Sequence, residues 1–140
     1  NITAEREKEF NAILNAVSIA HYDAGAHYLL GNLYVWENLL DRALSEFQKA
    51  VEIDPRHSMA HNNIGNIYIV RKDFSMAIEE YKKSINSNPH NAETLYNMGN
   101  VLEQTGNLRE AVIYYKKFME IAPPEYSSYV EELKNHLKKF

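Results

Sequence analysis

The sequence has no cysteine and a single tryptophan among its 140 residues, with only five glycines and four prolines. Without cysteine there is no disulfide framework, no thiolate metal site and no cysteine nucleophile. Cations are also in the minority, because 15 Lys and Arg stand against 19 Asp and Glu, a formal net charge of −4. Such a chain has no overall positive field that collects phosphates, so nucleic acid is not an expected partner.

Long apolar runs are missing as well. The longest, such as residues 67–70, are far shorter than the about 20 residues that a membrane-spanning helix needs. The first ten residues are charged where a signal peptide would be apolar. We therefore expect no membrane insertion and, by default, a cytoplasmic location for a chain of the size of one ordinary domain.

A repeat with a period of 34 residues organises the rest of the sequence. Glycine, alanine, an aromatic residue and proline each recur three times at this spacing. They are Gly31, Gly65 and Gly99; Ala43, Ala77 and Ala111; Phe47, Tyr81 and Tyr115; and Pro55, Pro89 and Pro123. Four residue types in register over three copies indicate a structural unit rather than a coincidence.

Each copy is predicted to form two helices joined by a turn. Apolar residues three or four positions from the glycine indicate a helical stripe. A glycine inside a helix costs about 1 kcal/mol relative to alanine, so its recurrence predicts a closely packed second helix, with the repeated alanine as its contact. Asn38, Lys72 and Gly106 are predicted to end the first helices in a left-handed conformation, and proline is predicted to end the second helices.

This order of residues resembles the tetratricopeptide repeat, a helix-turn-helix unit with the same period. The resemblance covers residues 24–125 and implies an all-α fold: a right-handed α-α superhelix, or solenoid, of three repeats with helical ends. The units are expected at 24–57, 58–91 and 92–125, preceded by an N-terminal helix or cap at 1–23 and succeeded by a capping helix at 126–140. His27, His61 and Leu95 depart from the family by replacing a large aromatic residue, and Phe118 replaces a small one, which predicts altered packing against the C-terminal segment.

The N-terminal helix is open to a second interpretation, as the second helix of a partial preceding repeat. Ile13 and Ala16 fall at the offsets of Phe47 and Ala50. Glu9, however, stands where the small alanine is expected, so both interpretations stay open.

The resemblance also implies a concave groove in which family members bind peptides. Its lining comes from positions two, five, six, nine, twelve and thirteen of each unit, which at about 100° per residue lie opposite the predicted core positions. These groove residues are Gly25, Tyr28, Leu29, Asn32, Val35 and Trp36; Met59, Asn62, Asn63, Asn66, Ile69 and Val70; and Glu93, Tyr96, Asn97, Asn100, Glu103 and Gln104.

Asparagines form two predicted rows along this groove. Asn63 and Asn97 make one row, and Asn32, Asn66 and Asn100 make the other. An asparagine amide offers both donors and an acceptor, so one hypothesis is a ladder that holds the backbone of an extended peptide. The alternative is that these amides are solvated or bind each other between helices.

The side chains around the asparagines predict the specificity. Towards the first unit the side chains that line the predicted groove are apolar and aromatic. Trp36 is either a binding residue or packs on the N-terminal helix. Glu93, Glu103 and Gln104 make the third unit mildly acidic, which suits a lysine, an arginine or a free amine. Family members that capture acidic chaperone tails use cations where this chain has Tyr28, Glu93 and Asn97, so that function is disfavoured.

The sequence predicts no catalytic, cofactor-binding or metal-binding residues. It contains no phosphate-binding glycine loop, and the helical pair His57 and His61 has no carboxylate beside it at metal-site spacing. The leading hypothesis is a non-catalytic module that binds a protein or peptide partner. One alternative is a self-assembling scaffold, a homo-oligomer formed through the terminal helices or through the apolar stripe of the N-terminal helix, Phe10, Ile13, Leu14 and Val17. The other is the recognition arm of a larger enzyme.

Overall fold

The computed structural model describes residues 2–140, with side chains from residue 3 onward. Over this range the chain forms eight α-helices and a short 3-10 turn, and none of it is strand. The helices are α1 (Ile2–Ile19), α2 (Ala24–Trp36), α3 (Leu40–Ile53), α4 (Ser58–Val70), α5 (Phe74–Ser87), α6 (Ala92–Gln104), α7 (Leu108–Ile121) and α8 (Ser127–Leu137), and the turn is Pro124–Tyr126.

Helices that are neighbours in sequence pack against one another along the whole chain. The most extensive contacts join α2 to α3, α4 to α5 and α6 to α7, and these pairs stack through α3 on α4 and α5 on α6. Helix α1 packs on α2, and α8 packs on α7. The prediction of an all-α helical-repeat solenoid is confirmed. Within residues 2–140, no helix is both long and apolar enough to cross a membrane.

Turns and caps place the helix ends where the sequence predicts them. Asn38, Lys72 and Gly106 have φ values of 59°, 60° and 87°, which confirms the left-handed positions after the first helices. Side chains of Asp23, His57, Asp73 and Asn91 accept hydrogen bonds from the first turns of the helices that come directly after them. Helices α3, α5 and α7 end shortly before the repeated prolines.

Each repeated glycine lies under an aromatic ring. A Cβ atom on Gly31, Gly65 or Gly99 would come within 2.4–2.5 Å of Cε1 of the ring of the second helix, contributed by Phe47, Tyr81 and Tyr115 respectively. The predicted close packing is therefore confirmed, but alanine as the contact is wrong. The repeated alanines are buried nearby, yet the ring reaches further across the helix pair and occupies the space above the glycine.

The two ends of the array are covered by aromatic contacts. Phe10 of α1 packs edge-on against Tyr34 of α2, with ring centroids 5.5 Å apart. At the other end Phe118 is fully buried between Tyr96 and Tyr126, at 5.1 and 5.7 Å. Phe118 thus packs against the C-terminal segment, as predicted, and Phe10 packs within the chain.

Candidate functional site

Hydrogen bonds between asparagines join the first helices of successive helix pairs. Nδ2 of Asn63 donates to Oδ1 of Asn32 at 2.8 Å, which links α4 to α2. Nδ2 of Asn97 donates to Oδ1 of Asn66 at 3.2 Å, which links α6 to α4. The two predicted rows are therefore cross-linked. We call the surface around Asn32, Asn63, Asn66, Asn97 and Asn100 the groove face.

Tyrosine hydroxyls hold two of these asparagines from below. The hydroxyl of Tyr81 donates to Oδ1 of Asn66 at 2.6 Å, and that of Tyr115 donates to Oδ1 of Asn100 at 2.7 Å. Both tyrosines are buried, and burial, the largest cause, raises the pKa of each phenol far above its ordinary value of 10. The hydroxyls therefore remain protonated donors. The amide oxygens are occupied from inside the protein.

The fifth position of each unit is at least half-buried, and in the second unit it lies inside the array. Asn62 is fully buried, and its Oδ1 accepts hydrogen bonds from Thr94 Oγ1 at 2.9 Å and Asn97 Nδ2 at 3.1 Å. Tyr28 and Tyr96 at the equivalent positions are half-buried in aromatic contacts. The prediction that Asn62 lines the groove is therefore corrected, because its side chain points towards the next helix pair and is satisfied there.

Four cavities succeed one another along the groove face. The first, about 410 Å³, lies between α1 and α2 and is lined by Glu5, Arg6, Glu9, Asn32, Leu33 and Trp36. The second, about 170 Å³, lies between α2 and α4 and is lined by Asn32, Val35, Leu40, Asn63, Asn66, Ile67 and Val70. The third, about 320 Å³, lies between α4 and α6 and is lined by Asn66, Ile69, Tyr81, Asn97, Asn100, Val101 and Gln104. The fourth, also about 320 Å³, lies under α8 and is lined by Tyr96, Asn100, Glu103, Tyr115, Glu132, Leu133 and His136.

The cavities bring together most of the predicted groove residues. Those that line none of the four are Tyr28, Met59, Asn62 and Glu93, besides Gly25 and Leu29. Sequence reasoning missed Glu5, Arg6, Glu9, Glu132 and His136, which come from the two terminal helices. No signal in the repeat could have found them, because they lie outside its register.

Trp36 is exposed and also contacts the N-terminal helix. Its side chain is 68% exposed, and the guanidinium of Arg6 lies 4.6 Å from its ring centre. Arg6 also pairs with Glu37 at 3.5 Å. Val70 in the next unit is 65% exposed. Trp36 and Val70, two of the apolar side chains predicted for this end of the groove, are therefore open to solvent.

The opposite end of the groove face carries a hydrogen-bonded carboxylate. Oε1 of Glu103 lies 2.8 Å from the Tyr115 hydroxyl and shares its single proton with Oδ1 of Asn100, and Oε2 lies 2.7 Å from Nε2 of His136 on α8. This pair ties the last helix to α6. Gln104 beside it is exposed.

Histidines in the first two helix pairs are hydrogen-bonded to carboxylates of the second helices. Nδ1 of His61 lies 2.7 Å from Oε2 of Glu80, and its Nε2 lies 2.8 Å from the carbonyl oxygen of Pro55. His27 repeats the arrangement with Glu46 at 2.6 Å. His57 caps α4 through Nδ1. Among the side chains from residue 3 onward, no three His, Asp or Glu residues form a group suited to a metal ion.

Both ring nitrogens of His61 face acceptors, which favours the doubly protonated imidazolium. Burial opposes that charge, but the hydrogen bond to Glu80, the bond to the Pro55 carbonyl and the charge of Glu80 outweigh it, so the pKa of His61 is raised above 6.5. Burial likewise opposes the charge on Glu80. The bond from His61 and the charge of Lys83 outweigh it, so the pKa of Glu80 is lowered below 4.5.

We expect this pair to make the free energy of unfolding depend on pH. The stabilisation from His61 is complete below its unfolded pKa of 6.5 and is lost as the pH rises through the raised folded pKa. The stabilisation from Glu80 is complete above 4.5 and is lost as the pH falls through the lowered folded pKa. In urea denaturation, the free energy of unfolding of the wild type relative to that of His61→Leu/Glu80→Tyr should therefore be highest between pH 4.5 and 6.5. It should be lower at pH 9. A difference that is constant across this range would contradict the prediction; the pair of His27 and Glu46 is common to both proteins.

Comparisons with known proteins agree with this architecture. Family models match at residues 24–57, 46–79 and 92–125, each described as tetratricopeptide repeat, and at 65–106, described as TPR repeat. Among solved structures, the chain is similar to MamA, with a TM-score of 0.74 and 25% identity over 82% of this chain. It is also similar to YrrB, with a TM-score of 0.75 and 27% identity over 79% of this chain. The search of curated proteins found no match.

The chain spans 67% of the MamA chain and 57% of the YrrB chain. YrrB is described as a TPR protein with an unusual peptide-binding site. Stacked helix pairs with a shared face of open side chains define a helical-repeat protein, of the class that serves as protein-protein interaction modules. The family matches, which together run from residue 24 to residue 125, show that this chain belongs to the tetratricopeptide-repeat family.

Proposed function

We propose that the groove face binds an extended peptide or partner segment by donating hydrogen bonds to its backbone. The observation that carries the proposal is the orientation of the three asparagines at the ninth position of each unit. Oδ1 of Asn32 accepts from Asn63, Oδ1 of Asn66 accepts from Tyr81 and Asn97, and Oδ1 of Asn100 accepts from Tyr115.

Because the oxygens of these three amides accept hydrogen bonds from within the protein, their NH₂ groups are available to donate to a ligand. Within the described residues, the Nδ2 atoms of Asn32, Asn66 and Asn100 donate to no protein acceptor. Each borders two of the cavities. A bound peptide backbone offers carbonyl acceptors irrespective of its sequence, and each bond would contribute roughly 1 kcal/mol net. The peptide-binding site of YrrB supports the same use of the fold.

Inter-helix bonding and ligand binding are then two roles of the same side chains. The internal bonds fix the rotamers, so a ligand does not have to restrict them on binding.

We propose further that the chain has no catalytic activity of its own and no nucleic-acid partner. We keep the units at 24–57, 58–91 and 92–125 as the proposed division of the array.

A displayed-peptide selection on the wild type and on Asn66→Ala/Asn97→Ala tests the proposal. Peptides should be enriched on the wild type and depleted on the variant. Removing the Asn66 donor costs about 1 kcal/mol, roughly a fivefold loss of affinity, and Asn97→Ala also removes the bond that orients the Asn66 amide. Asn86→Ala/Asn135→Ala, which changes two asparagines outside the groove face, is the matched control and should retain the wild-type peptides.

Equal enrichment on wild type and groove variant would show that the asparagines act only between helices. Light scattering over a concentration series on the same samples separates groove binding from self-assembly. A mass that rises with concentration, together with no enrichment, would favour the self-assembling scaffold.

A further inference from the structure

The second and third cavities lie at equivalent places in the repeat and differ in chemistry. Six residues that line the second recur 34 positions later in the third. Asn32 borders the first and second cavities, Asn66 the second and third, and Asn100 the third and fourth. A peptide ligand bound across the groove face would therefore lie next to an amide donor at each boundary between two cavities.

The spacing of the helices sets how many residues separate two cavities. Helices packed side by side lie about 8–10 Å apart. A polyproline-type chain advances about 3.1 Å per residue with three residues per turn, so its side chains three residues apart point to the same face. In a β-extended chain they would point to opposite faces. Successive cavities are thus matched by side chains three residues apart.

The two central cavities differ in polarity. Val35, Leu40, Ile67 and Val70 make the second cavity apolar. Three asparagines border each of the two cavities at equivalent positions, but in the third Gln104 replaces Val70 and Tyr81 takes the place of Leu40 in the lining, so the third cavity is the more polar. The second cavity therefore suits an apolar side chain, and the third suits a polar uncharged one.

The first cavity is anionic. Glu5 and Glu9 line it and form no ion pair within the described residues. Its single cation, Arg6, is already engaged by the Trp36 ring and by Glu37. A cationic side chain entering here would meet two carboxylates beside an exposed indole.

The fourth cavity is anionic as well. Both oxygens of Glu103 are engaged by Tyr115 and His136, whereas Glu132 forms no ion pair among the described side chains. Tyr96 adds an aromatic ring to the lining. No lysine lines any of the four cavities.

We propose that the occupant of the groove face is an extended segment with a cationic side chain at each end. Between the cations it carries an apolar side chain for the second cavity and a polar uncharged one for the third, each three residues from its neighbours. This inference rests on the peptide binding proposed above and names its ligand class. Charge complementarity at both ends decides against an acidic segment.

Fluorescence anisotropy with labelled peptides of about ten residues tests the pattern. The probe has lysine at the first and tenth positions, leucine at the fourth and serine at the seventh, and a second probe has the leucine and serine exchanged for the opposite chain direction. Control peptides replace both lysines with serine or with glutamate, or the leucine with serine. The proteins are the wild type, Asn66→Ala/Asn97→Ala, Glu9→Lys/Glu132→Lys and, as a control of equal charge, Glu79→Lys/Glu120→Lys on other helices.

We expect one of the two dibasic probes to bind the wild type at least about tenfold more tightly than its serine and glutamate controls. Glu9→Lys/Glu132→Lys should abolish that preference, and Glu79→Lys/Glu120→Lys should keep it. If all peptides bind equally and lose affinity on Asn66→Ala/Asn97→Ala, the proposed function stands and the dibasic ligand is wrong. If no peptide of the set binds, the dibasic ligand is also overturned, and the displayed-peptide selection decides the proposed function by itself.

Discussion

Gly65→Ala is expected to lower the free energy of unfolding by about 2 kcal/mol, although alanine is the better helix former. On an exposed helix the same change would stabilise by about 1 kcal/mol. Here the new Cβ would lie 2.5 Å from Cε1 of Tyr81. That ring is 1% exposed, and its hydroxyl is bonded to Asn66, so it cannot move aside without losing packing and the hydrogen bond. The cost of displacing the ring therefore exceeds the gain in propensity.

A double-mutant cycle with Tyr81→Leu isolates this clash. Urea denaturation of the wild type, both single variants and Gly65→Ala/Tyr81→Leu gives the four free energies. With the ring removed, alanine at residue 65 should cost little or should stabilise. The explanation fails if Gly65→Ala matches the wild type, or if alanine costs the same with leucine at residue 81 as with tyrosine.

The same tyrosine connects the packing of the repeat to the groove face. Tyr81 covers Gly65 with its ring and fixes Asn66 with its hydroxyl, and Tyr115 does the same for Gly99 and Asn100. The first unit has Phe47, which has no hydroxyl, and there Asn63 alone bonds to Asn32. The register that builds the helix pairs thus also sets the direction of the amides, so the groove face is pre-organised by the fold.

Much of the fold was predictable because its signals are local. Asn38 and Gly106 are of types that tolerate positive φ, and Lys72 stands at the equivalent position 34 residues from each; all three have positive φ. The period of 34 residues then fixes which helices are equivalent. The glycine indicated close packing, but periodicity alone could not tell whether an alanine or a ring lies over it, since both recur in the same register.

The groove face was predicted less completely, because its details depend on contacts between distant residues. Asn62 and Asn63 are adjacent on one helix, yet only Asn62 is fully buried, since Thr94 and Asn97 of the next pair close over it. The sequence search for a carboxylate beside His61 found none, because Glu80 comes from the next helix. The contributions of Glu5 and Glu132 required the docking of α1 and α8, which no repeat pattern specifies.

His61→Leu is expected to lower the free energy of unfolding at pH 7 by about 2–3 kcal/mol, at or just below the lower limit of about 3 kcal/mol for a broken buried ion pair. The Glu80 side chain is only 12% exposed and would lose its bond to the imidazole, and the Pro55 carbonyl would lose its donor. Lys83 stays 3.3 Å from the other Glu80 oxygen and reduces the loss.

The third unit shows how the chain can do without this pair, because Leu95 and Tyr114 occupy the positions of His61 and Glu80. Copying them in His61→Leu/Glu80→Tyr removes both buried charges together, and replacing a whole ion pair by apolar groups is often close to neutral. Urea denaturation at pH 7 should therefore place the double variant within about 1 kcal/mol of the wild type and clearly above His61→Leu. A single variant as stable as the wild type, or a double variant no more stable than the single one, would mean that the imidazole does not compensate the buried carboxylate. The stability would then come from apolar packing around these side chains alone.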